Sequence, residues 1–527
     1  MKPDFDLIII GSGPAGVSAA FPLVTAGLKV LMVDGGSHTI IPPIEPPFLT
    51  ARTEDPNQWE WMIGKDFHSL KMQDAVSPKL RVPGHKYVFE NYAHANAIES
   101  KDFIVVGSLA TGGLSNAWGC GVSRLSEAEL SNYPVSSSHM DRSYRAVAQR
   151  IGISGSSHDD LSDFFRLDEI SQPPIPMDPL HTQLWTKYQK HRKAITPVGF
   201  RLGRARVAAL NQAIGDRKAC DCTGNCLWGC HRKALYSSAD ELPALKQYPN
   251  FHHQNGFVVE RLKAAGEFWR IQGTRNLKSE SITARKIILA AGTIATTRLA
   301  LQALKLTKPI PMLSCPIAAF MLWNPWYLGQ KIQSSFGFGQ LSYTLKLDQG
   351  ITGFGSTFGI SGIPVSEFLG HLPFSRRYSI DIFKGVSSSC IVGNLFLPGD
   401  LSPAQVELKG DDSLHISGGY RSLVPQLMKT AAKRLRKAYF KLGFFLLPGS
   451  FTLGAPGGDI HYAGTLPMRD NPELGETNST GEIQGIPGVH IVDGACLPTL
   501  PGKSHTLTIM ANADRIGRRL CEMPVTT

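Results

Sequence analysis

The sequence is poor in cysteine and in charged residues, and it has no long unbroken apolar run. Of 527 residues, nine are cysteine and 18% are charged, against 42% hydrophobic. A chain of this length can bury a large core without covalent staples, and nine is an odd number, so we do not expect a disulfide framework. Residues 311–328 are the most apolar stretch, but Pro316 and Pro325 interrupt it. The stretch is therefore a poor membrane-spanning helix and is predicted as a buried or membrane-facing loop.

Several familiar signatures are also missing. No basic leader precedes the first apolar strand, so we expect no export by a signal peptide and a cytoplasmic location. No Ser-His-Asp arrangement, phosphate-binding P-loop or His-Glu-x-x-His zinc motif is evident, which leaves hydrolase and phosphotransferase functions without support. The 52 glycines and 35 prolines are instead typical of a loop-rich α/β enzyme with more than one lobe.

Positive charge exceeds negative charge, with 54 Lys and Arg against 43 Asp and Glu, a net +11. Such a surplus favours an anionic partner only where it is concentrated on one face. The densest basic run, residues 429–441, has helical spacing and includes Tyr439 and Phe440. It is either a solvated helix face or a membrane or anion site, so peripheral membrane contact stays open. We expect no nucleic-acid partner.

The N-terminal segment carries a dinucleotide fingerprint in its full context. Asp6–Ile10 predicts a buried strand, GSGPAG follows it, and Ala15–Ala26 predicts a helix. A second strand, Lys29–Val33, ends at Asp34. The first two glycines of the fingerprint let backbone approach a pyrophosphate, the third allows close helix packing, and Asp34 is placed to hold a ribose hydroxyl. The fingerprint alone does not separate NAD from FAD.

Three further segments resemble the glucose-methanol-choline (GMC) flavoprotein oxidoreductases. Arg285–Gln302 (RKIILAAGTIATTRLALQ) resembles the second signature of that family, and Thr111–Gly121 (TGGLSNAWGCG) resembles its glycine-rich flavin loop. Residues 488–520 (GVHIVDGACLPTLPGKSHTLTIMANADRIGRRL) are similar to its C-terminal block. The three blocks follow the family order and cover about half of the chain.

The resemblance implies an α/β chain, α+β overall, with a Rossmann-like FAD-binding domain and a GMC-type substrate domain built on an antiparallel sheet. The FAD-binding domain is expected at residues 1–165, 232–308 and 455–527, and the substrate domain at 166–231 and 309–454. Some members attach FAD covalently through a histidine of the flavin loop, where this chain has Ala117. FAD is therefore expected to be non-covalent. The predicted cofactor residues are Gly11, Ser12, Gly13, Pro14, Ala15, Gly16, Asp34, Gly112, Gly113, Ser115, Asn116, Ala291, Asp493, Gly494, His505 and Thr506.

Alcohol oxidation needs a base for the hydroxyl proton and a polar group that holds the developing alkoxide. His461, in DIHYAGTLPM, resembles the family's His-x-x-Gly-Thr-x-x-Met stretch, and His505 lies in a block that has His or Asn in the family. We predict His461 as principal base and His505 as alkoxide partner. Other histidines, such as His253, are predicted to be structural.

Four of the cysteines lie close together in CDCTGNCLWGC, residues 220–230. Zinc prefers paired Cys-x-x-Cys knuckles, which are absent here, whereas iron-sulfur sites tolerate compact spacing. Cys222, Cys226 and Cys230 resemble the ligands of a cluster in some sugar-oxidising GMC dehydrogenases, although the first interval is one residue shorter. Cys220 would be a spare or fourth ligand, and Gly224 and Gly229 would let the loop wrap a centre. The alternative is a loop whose free thiols pack as small buried side chains.

The sequence as a whole predicts an FAD-dependent enzyme that oxidises a CH–OH group to a carbonyl. The substrate expected from the resemblance is a sugar or sugar derivative, and an apolar or sterol-like alcohol is the alternative. The electron acceptor is oxygen, a carrier protein or a quinone. A rival of another class is a flavin-containing scaffold or electron-transfer subunit that turns over no alcohol, against which the histidine pair argues.

Overall fold

The computed structural model describes residues 3–38, 43–72, 77–364, 366–369 and 375–522. The strands are β1 Phe5–Ile10, β2 Val30–Val33, β3 Ile98–Lys101, β4 Phe200–Arg204, β5 Phe251–Gln254, β6 Phe257–Ala265, β7 Phe268–Arg275, β8 Lys278–Leu289, β9 Ile310–Ser314, β10 Ile317–Trp323, β11 Leu341–Lys346, β12 Thr352–Gly359, β13 Cys390–Phe396, β14 Pro403–Leu408, β15 Leu414–Gly418, β16 Phe445–Leu446, β17 Thr452–Leu453, β18 Tyr462–Ala463 and β19 Val489–Ile491.

Helices connect and cover these strands. They are α1 Pro14–Thr25, α2 Phe48–Glu54, α3 Gln58–Met62, α4 His68–Lys71, α5 Pro78–Arg81, α6 Lys86–Phe89, α7 Tyr92–Ala95, α8 Ser137–Ile151, α9 Ser162–Phe165, α10 Pro179–Ile195, α11 Leu242–Leu245, α12 Thr293–Leu304, α13 Ser366–Leu369, α14 Arg376–Val386, α15 Val424–Lys441 and α16 Thr506–Glu522.

The first sheet has the order β5-β2-β1-β8-β7-β6, with β19 beside β8. Strands β5, β2, β1, β8 and β19 are parallel, and β8, β7 and β6 form an antiparallel meander. Leu7 and Ile9 of β1 pack into the core cluster that contains residues of α1 and α16, while Ile8 and Ile10 join the core on the other face. Burial on both faces explains why β1 is a continuous apolar run. The predicted Rossmann-like arrangement is confirmed. The boundaries of β1, α1 and β2 lie within one residue of those expected.

The second sheet is antiparallel, in the order β16-β10-β13-β12-β11-β4, with β17 beside β10. Its outer face is covered by α10 and α15, whose Tyr188 and Tyr439 pack around Phe200 of β4. The side chains of β10 alternate between the two faces of the sheet. Ala318, Phe320 and Leu322 pack in the core under the helices. The intervening residues of β10 face inward to a cavity. The predicted antiparallel sheet is therefore present.

The third sheet, β18-β9-β14-β15-β3, is smaller and ends close to the cavity. It takes β3 and β18 from the segments expected in the FAD-binding domain, and β9, β14 and β15 from those expected in the substrate domain. The boundaries of the two domains therefore stay a prediction.

One local expectation is wrong. Residues 311–328 were expected to form a loop, yet they contain most of β9 and all of β10. Pro316 lies between β9 and β10 and Pro325 follows β10, so these two prolines exclude a continuous helix without interrupting either strand. The basic run 429–441 is helical as predicted, within α15. None of the described helices is long and apolar enough to cross a membrane.

Candidate active site

A cavity of about 1460 Å³ lies between the first and second sheets. Most of the predicted cofactor residues line it, together with His461. Gly16, Gly112 and Asn116 are the predicted cofactor residues that do not line it, and they lie behind the lining. The cavity has two walls of different chemistry, which we call the cofactor wall and the substrate wall.

The cofactor wall begins at the turn between β1 and α1. Gly11 has φ +109°, and a Cβ there would lie 2.3 Å from the carbonyl oxygen of Ala290. A Cβ on Gly16 would lie 1.9 Å from the oxygen of Gly11, whereas one on Gly13 would meet nothing within 4 Å. Gly11 and Gly16 therefore permit close packing, and Gly13 leaves open space in front of the N-terminus of α1. That helix has no side-chain cap at Gly13, so its first N–H groups are available to an anion.

Asp34 lies buried at the end of β2 and already has four partners. Its carboxylate accepts hydrogen bonds from the Ser12 hydroxyl, from the backbone N–H of Gly36 at 2.9 Å and from the Thr111 hydroxyl at 3.1 Å. The Nε2 atom of His253 lies 3.0 Å from the same carboxylate, which gives His253 the structural contact that was expected of it. Since a carboxylate offers about four lone-pair sites, a ribose hydroxyl would replace one of these contacts.

The flavin loop, residues 111–121, is held by its own hydrogen bonds. The Ser115 hydroxyl donates to the oxygen of Gly112 at 2.6 Å. The Asn116 amide donates to the oxygens of Thr111 and Gly113 at 2.9 and 3.0 Å. Ser115 and Asn116 thus shape the loop, and Gly113, Ser115 and Ala117 line the cavity. Ala117 stands at the loop position of the linking histidine, and non-covalent FAD stays a prediction.

The turn between β8 and α12 closes the wall together with Asp493. The Asp493 carboxylate accepts from the N–H of Gly292 at 2.9 Å and from the Thr296 hydroxyl at 2.5 Å. Burial raises the pKa of Asp493 to about 6. Ala291, Gly494 and Thr506, the first residue of α16, line the cavity beside it. Glycine turns, uncapped N–H groups and a long cavity fit an extended anionic dinucleotide, so these residues suit FAD.

His461 and His505 come together where the cofactor wall meets the substrate wall. Their ring centres are 4.8 Å apart and the rings are perpendicular. Burial lowers the pKa of His505 to about 4, and burial, His505 and Lys79 lower the pKa of His461 well below its usual value. Within the described part of the chain, Nδ1 of His505 has no hydrogen-bond partner. Both imidazoles are therefore neutral at neutral pH, and His461 can accept a proton.

Asp459 supports His461 and was not predicted from the sequence. Its Oδ2 atom lies 3.5 Å from Nδ1 of His461, and its carboxyl accepts from the Ser314 hydroxyl at 2.7 Å and the N–H of Cys315 at 2.8 Å. Burial raises the pKa of Asp459 to about 7. Between Asp459 and His461 stands Ile460 with φ +61°, a strained conformation for a β-branched residue. The D-I-H spacing was the available signal.

Cys315, Asp459 and His461 also form the one group of described residues whose metal-ligand atoms lie within 4.8 Å of one another. Burial raises the pKa of the Cys315 thiol well above its usual value, so the thiol stays protonated and is a poor ligand. The group fits a hydrogen-bonded proton network better than a metal centre.

Lys79 is a second residue that the sequence did not reveal. Its ammonium lies 5.4 Å from the centre of the Phe338 ring, and 3.6 Å from the position of a Cβ on Gly119 of the flavin loop. Burial lowers the pKa of Lys79 to about 8. No carboxylate among the described residues pairs with it, so it places a cation beside the histidine pair.

The substrate wall is largely aromatic and aliphatic. It is formed by alternate residues of the second sheet and their neighbours, namely Ala319, Met321, Trp323, Phe338, Ser342, Phe354, Ser356, Phe358, Val392, Asn394 and Phe396. The Ser342 and Ser356 hydroxyls lie 2.9 Å apart, and the Asn394 side-chain oxygen accepts from the backbone N–H of Ser356 at 2.8 Å. The Phe396 ring lies 5.3 Å from the His461 ring.

Gly224 and Leu227 of the cysteine-rich segment line the cavity, whereas its four cysteines pack behind that lining. Cys220, Cys222 and Cys226 contact the main core cluster, and Sγ of Cys226 accepts from the N–H of Gly337 at 3.3 Å. A hydrogen bond from the Cys220 thiol lowers the pKa of Cys222 to about 7. Gly224 and Gly229 have φ +79° and +104°, the backbone freedom that was expected of them. All four thiols, including that of Cys230, are free.

Comparisons with known proteins agree with this architecture. A pyridine nucleotide-disulphide oxidoreductase model matches residues 5–121, which contain the fingerprint and the flavin loop. A GMC oxidoreductase model matches residues 456–513, which contain both histidines. Among curated proteins, none matches the sequence.

Two solved structures are similar over nearly the whole chain. Pyridoxine 4-oxidase from Mesorbium loti has a TM-score of 0.61 at 14% identity, with 99% of this chain and 100% of that chain covered. An FAD-dependent oxidoreductase from Chaetomium thermophilum, in complex with a pyridinyl thiophenyl butanamide fragment, has a TM-score of 0.59 at 14% identity, with 98% and 99% covered. At this identity the two structures establish the fold.

Residues 456–513 match the GMC oxidoreductase model, and nearly the whole chain has the fold of the two solved structures. The resemblance to the GMC oxidoreductases that the sequence motifs predicted is therefore confirmed.

Proposed function

We propose that this protein oxidises a CH–OH group to a carbonyl, with His461 as the base. The observation that carries this proposal is the pair of neutral histidines, 4.8 Å apart, at the junction of the two walls. FAD bound on the cofactor wall would supply the acceptor for the hydride that leaves the alcohol carbon.

The residues of the chain divide the remaining work. Neutral His461 accepts the hydroxyl proton, and the Asp459 carboxylate beside its Nδ1 stabilises the imidazolium that forms. His505 donates a hydrogen bond to the developing alkoxide. Asp459 acts through His461 and is therefore a positioning residue. The strained backbone at Ile460 fixes the direction of both side chains.

Two classes of substrate are alternatives for the substrate wall. A sugar or sugar derivative is the class expected from the resemblance. An apolar alcohol is favoured by the aromatic lining and by the pairing of the Ser342 and Ser356 hydroxyls with each other. The flavin absorbance, followed anaerobically while a panel of sugars, long-chain alcohols and sterols is added, tests both. Bleaching by one class identifies it, and no bleaching by any alcohol would favour the scaffold or electron-transfer alternative.

We further propose that FAD is held without a covalent bond, because Ala117 occupies the loop position where a linking histidine would stand. Acid precipitation should release yellow flavin into the supernatant. Flavin that stays with the precipitate would contradict this proposal.

The cysteine-rich segment has two alternative interpretations, an iron-sulfur cluster or packed free thiols. An iron-sulfur cluster on Cys222, Cys226 and Cys230 would pass electrons singly to a carrier protein or quinone, whereas packed free thiols leave oxygen or another acceptor to reoxidise the flavin. Anaerobically purified protein should contain iron and acid-labile sulfide only in the first case, and Cys226→Ser should then lose both while it keeps FAD. The cytoplasmic location also stays a proposal.

A further inference from the structure

Two neighbouring helices, α10 and α15, carry positive charge and no negative charge. Four Lys and Arg residues lie in α10 and six in α15, and neither helix contains Asp or Glu. These ten are among the 54 Lys and Arg of the chain, and no acidic residue of either helix offsets them. The two helices pack in one core cluster, and the Lys441 ammonium donates to the oxygen of Ala194 at 2.9 Å. We call their outer surface the basic face.

Most of these cations are free of acidic partners. Arg192 pairs with Asp160 and Arg434 with Asp348. No ion pair to a described residue forms at the other eight, which are Lys187, Lys190, Lys193, Lys429, Lys433, Arg436, Lys437 and Lys441. All eight are exposed. A surface that carries this many unpaired charges of one sign attracts a polyanion.

Exposed apolar side chains are concentrated beside the basic face. Of the eleven large apolar side chains exposed in the described part of the chain, six lie in the segments around β10, α14 and the end of α15. We call these six the apolar rim: Trp326, Leu328, Tyr378, Ile382, Phe440 and Phe445. Trp326 is 76% exposed and Phe440 63%, so neither ring contributes much to the folded core.

The apolar rim is continuous with the substrate wall. Phe440 contacts Phe445 at 5.6 Å between ring centres, and Phe445 contacts Trp323, a residue of the wall, at 5.9 Å. On the α14 side, Phe383 and the C-terminal Val386 line the cavity. The backbone N–H of Asn324, which follows β10, donates to the oxygen of Ser389 just after α14, so both sides of the rim are joined.

We propose that the basic face and the apolar rim dock this protein onto an anionic lipid membrane. The cations would contact lipid phosphates while the rim enters the interfacial region, where aromatic side chains are favoured. A nucleic acid would account for the cations but not for an apolar rim that continues into an apolar cavity. An apolar alcohol dissolved in the bilayer could then enter beside Trp323, a consequence that rests on the proposed function.

Vesicle sedimentation tests the docking without any alcohol. The purified holoprotein is mixed with vesicles of phosphatidylcholine alone or with added phosphatidylglycerol, and the bound fraction is measured. We expect binding to the anionic vesicles only. Each lysine near an anionic surface contributes about fivefold to partitioning, so Lys433→Gln, Arg436→Gln and Lys437→Gln together should weaken binding roughly 100-fold. Trp326→Ser with Phe440→Ser should weaken it by about tenfold or more.

Matched controls separate docking from general charge and hydrophobicity. Lys246→Gln, Lys263→Gln and Lys278→Gln remove three exposed charges away from the basic face, and Leu277→Ser with Leu474→Ser removes two exposed apolar side chains away from the rim. Both controls should bind as the parent does. Absence of vesicle binding, equal losses in variants and controls, or tighter binding to duplex DNA or RNA than to the anionic vesicles would overturn the proposal. Failure of alcohol to bleach the flavin would leave the docking result unchanged.

Discussion

The two walls of the cavity recognise their ligands by opposite means. The cofactor wall is made of backbone turns, small residues and two buried carboxylates, while the substrate wall is made of large side chains that alternate along strands. A cofactor is a fixed shape, and close approach of backbone to it requires glycine at particular positions. Substrate contacts are made by side chains that many residue types can replace. Sequence motifs therefore identify the cofactor wall, whereas no motif identifies the substrate wall.

The largest effect should come from the junction of the walls. His461→Ala removes the proton acceptor, so flavin reduction by a confirmed alcohol should slow by roughly 10²- to 10⁴-fold while FAD stays bound. Stopped-flow absorbance measures the rate, and the flavin content checks the cofactor.

His505→Ala serves as the comparison at the same junction. It should slow reduction by the same factor or less, because it removes a hydrogen bond and not the base. Parental rates in both variants would show that the pair does not carry the reaction.

On the cofactor wall, we expect the largest loss of FAD binding or stability from a substitution of Gly11. Gly11→Ala forces a side chain into φ +109° and against the carbonyl of Ala290, at a cost of about 3 kcal/mol. Such a cost corresponds to roughly 10²-fold weaker FAD binding or to a matching loss of stability. Thermal unfolding of the FAD-free protein and a flavin titration measure the two.

Gly13→Ala is the matched control, since Gly13 has φ −66° and a Cβ there meets nothing within 4 Å. The FAD-free protein should keep its stability, and only FAD binding should weaken if backbone approaches the pyrophosphate here. Equal destabilisation of the FAD-free protein by both substitutions would contradict the division of roles between these glycines.

A substitution in the substrate wall should have a smaller effect on catalysis, and only with one class of substrate. Met321→Ser replaces a half-buried apolar side chain of β10 with a hydroxyl. If the substrate is an apolar alcohol, its KM should rise about tenfold with little change in kcat, because contact is lost in the ground state and the transition state alike. Steady-state kinetics with an apolar alcohol and with a sugar provide the comparison. A rise in KM for the sugar alone would assign the wall to sugars.

The same contrast sets how far the sequence could predict the molecule. The strand, turn and helix around Gly11 are contiguous in the chain, so their pattern is readable, and the boundaries of β1, α1 and β2 are off by no more than one residue. The strands of the substrate wall come from segments that are far apart, and only the fold brings β4 beside β11. For residues 311–328, Pro316 and Pro325 indicate a loop, and nothing within the stretch itself reveals that β10 pairs with β13. Lys79 was missed because its neighbours Gly119 and Phe338 are remote in sequence.

The smallest effect we predict concerns Asp459 and pH. Its pKa is raised to about 7, so its carboxyl is charged above that pH and neutral below it. Only the charged form stabilises protonated His461, so the rate of flavin reduction should increase by several-fold as pH rises through about 7. His461 itself adds no step near the usual histidine pKa, because its own pKa lies well below it. Asp459→Asn should lower the rate and lose the step near pH 7, which leaves only the titration of Lys79 at about pH 8.

Ser314→Ala provides a second test of the pH dependence, because it leaves both Asp459 and His461 in place. The Ser314 hydroxyl donates to Asp459 and lowers the pKa of its carboxyl, against the larger effect of burial. Without that hydrogen bond the carboxyl should stay protonated to a higher pH, and the step in the rate should move upward while the plateau rate at high pH is retained. A merely structural role for Asp459 predicts a lower rate at every pH and no displacement of the step. A step that stays in place in Ser314→Ala, or that persists in Asp459→Asn, would remove Asp459 from the proton network and leave His461 to act without a carboxylate partner.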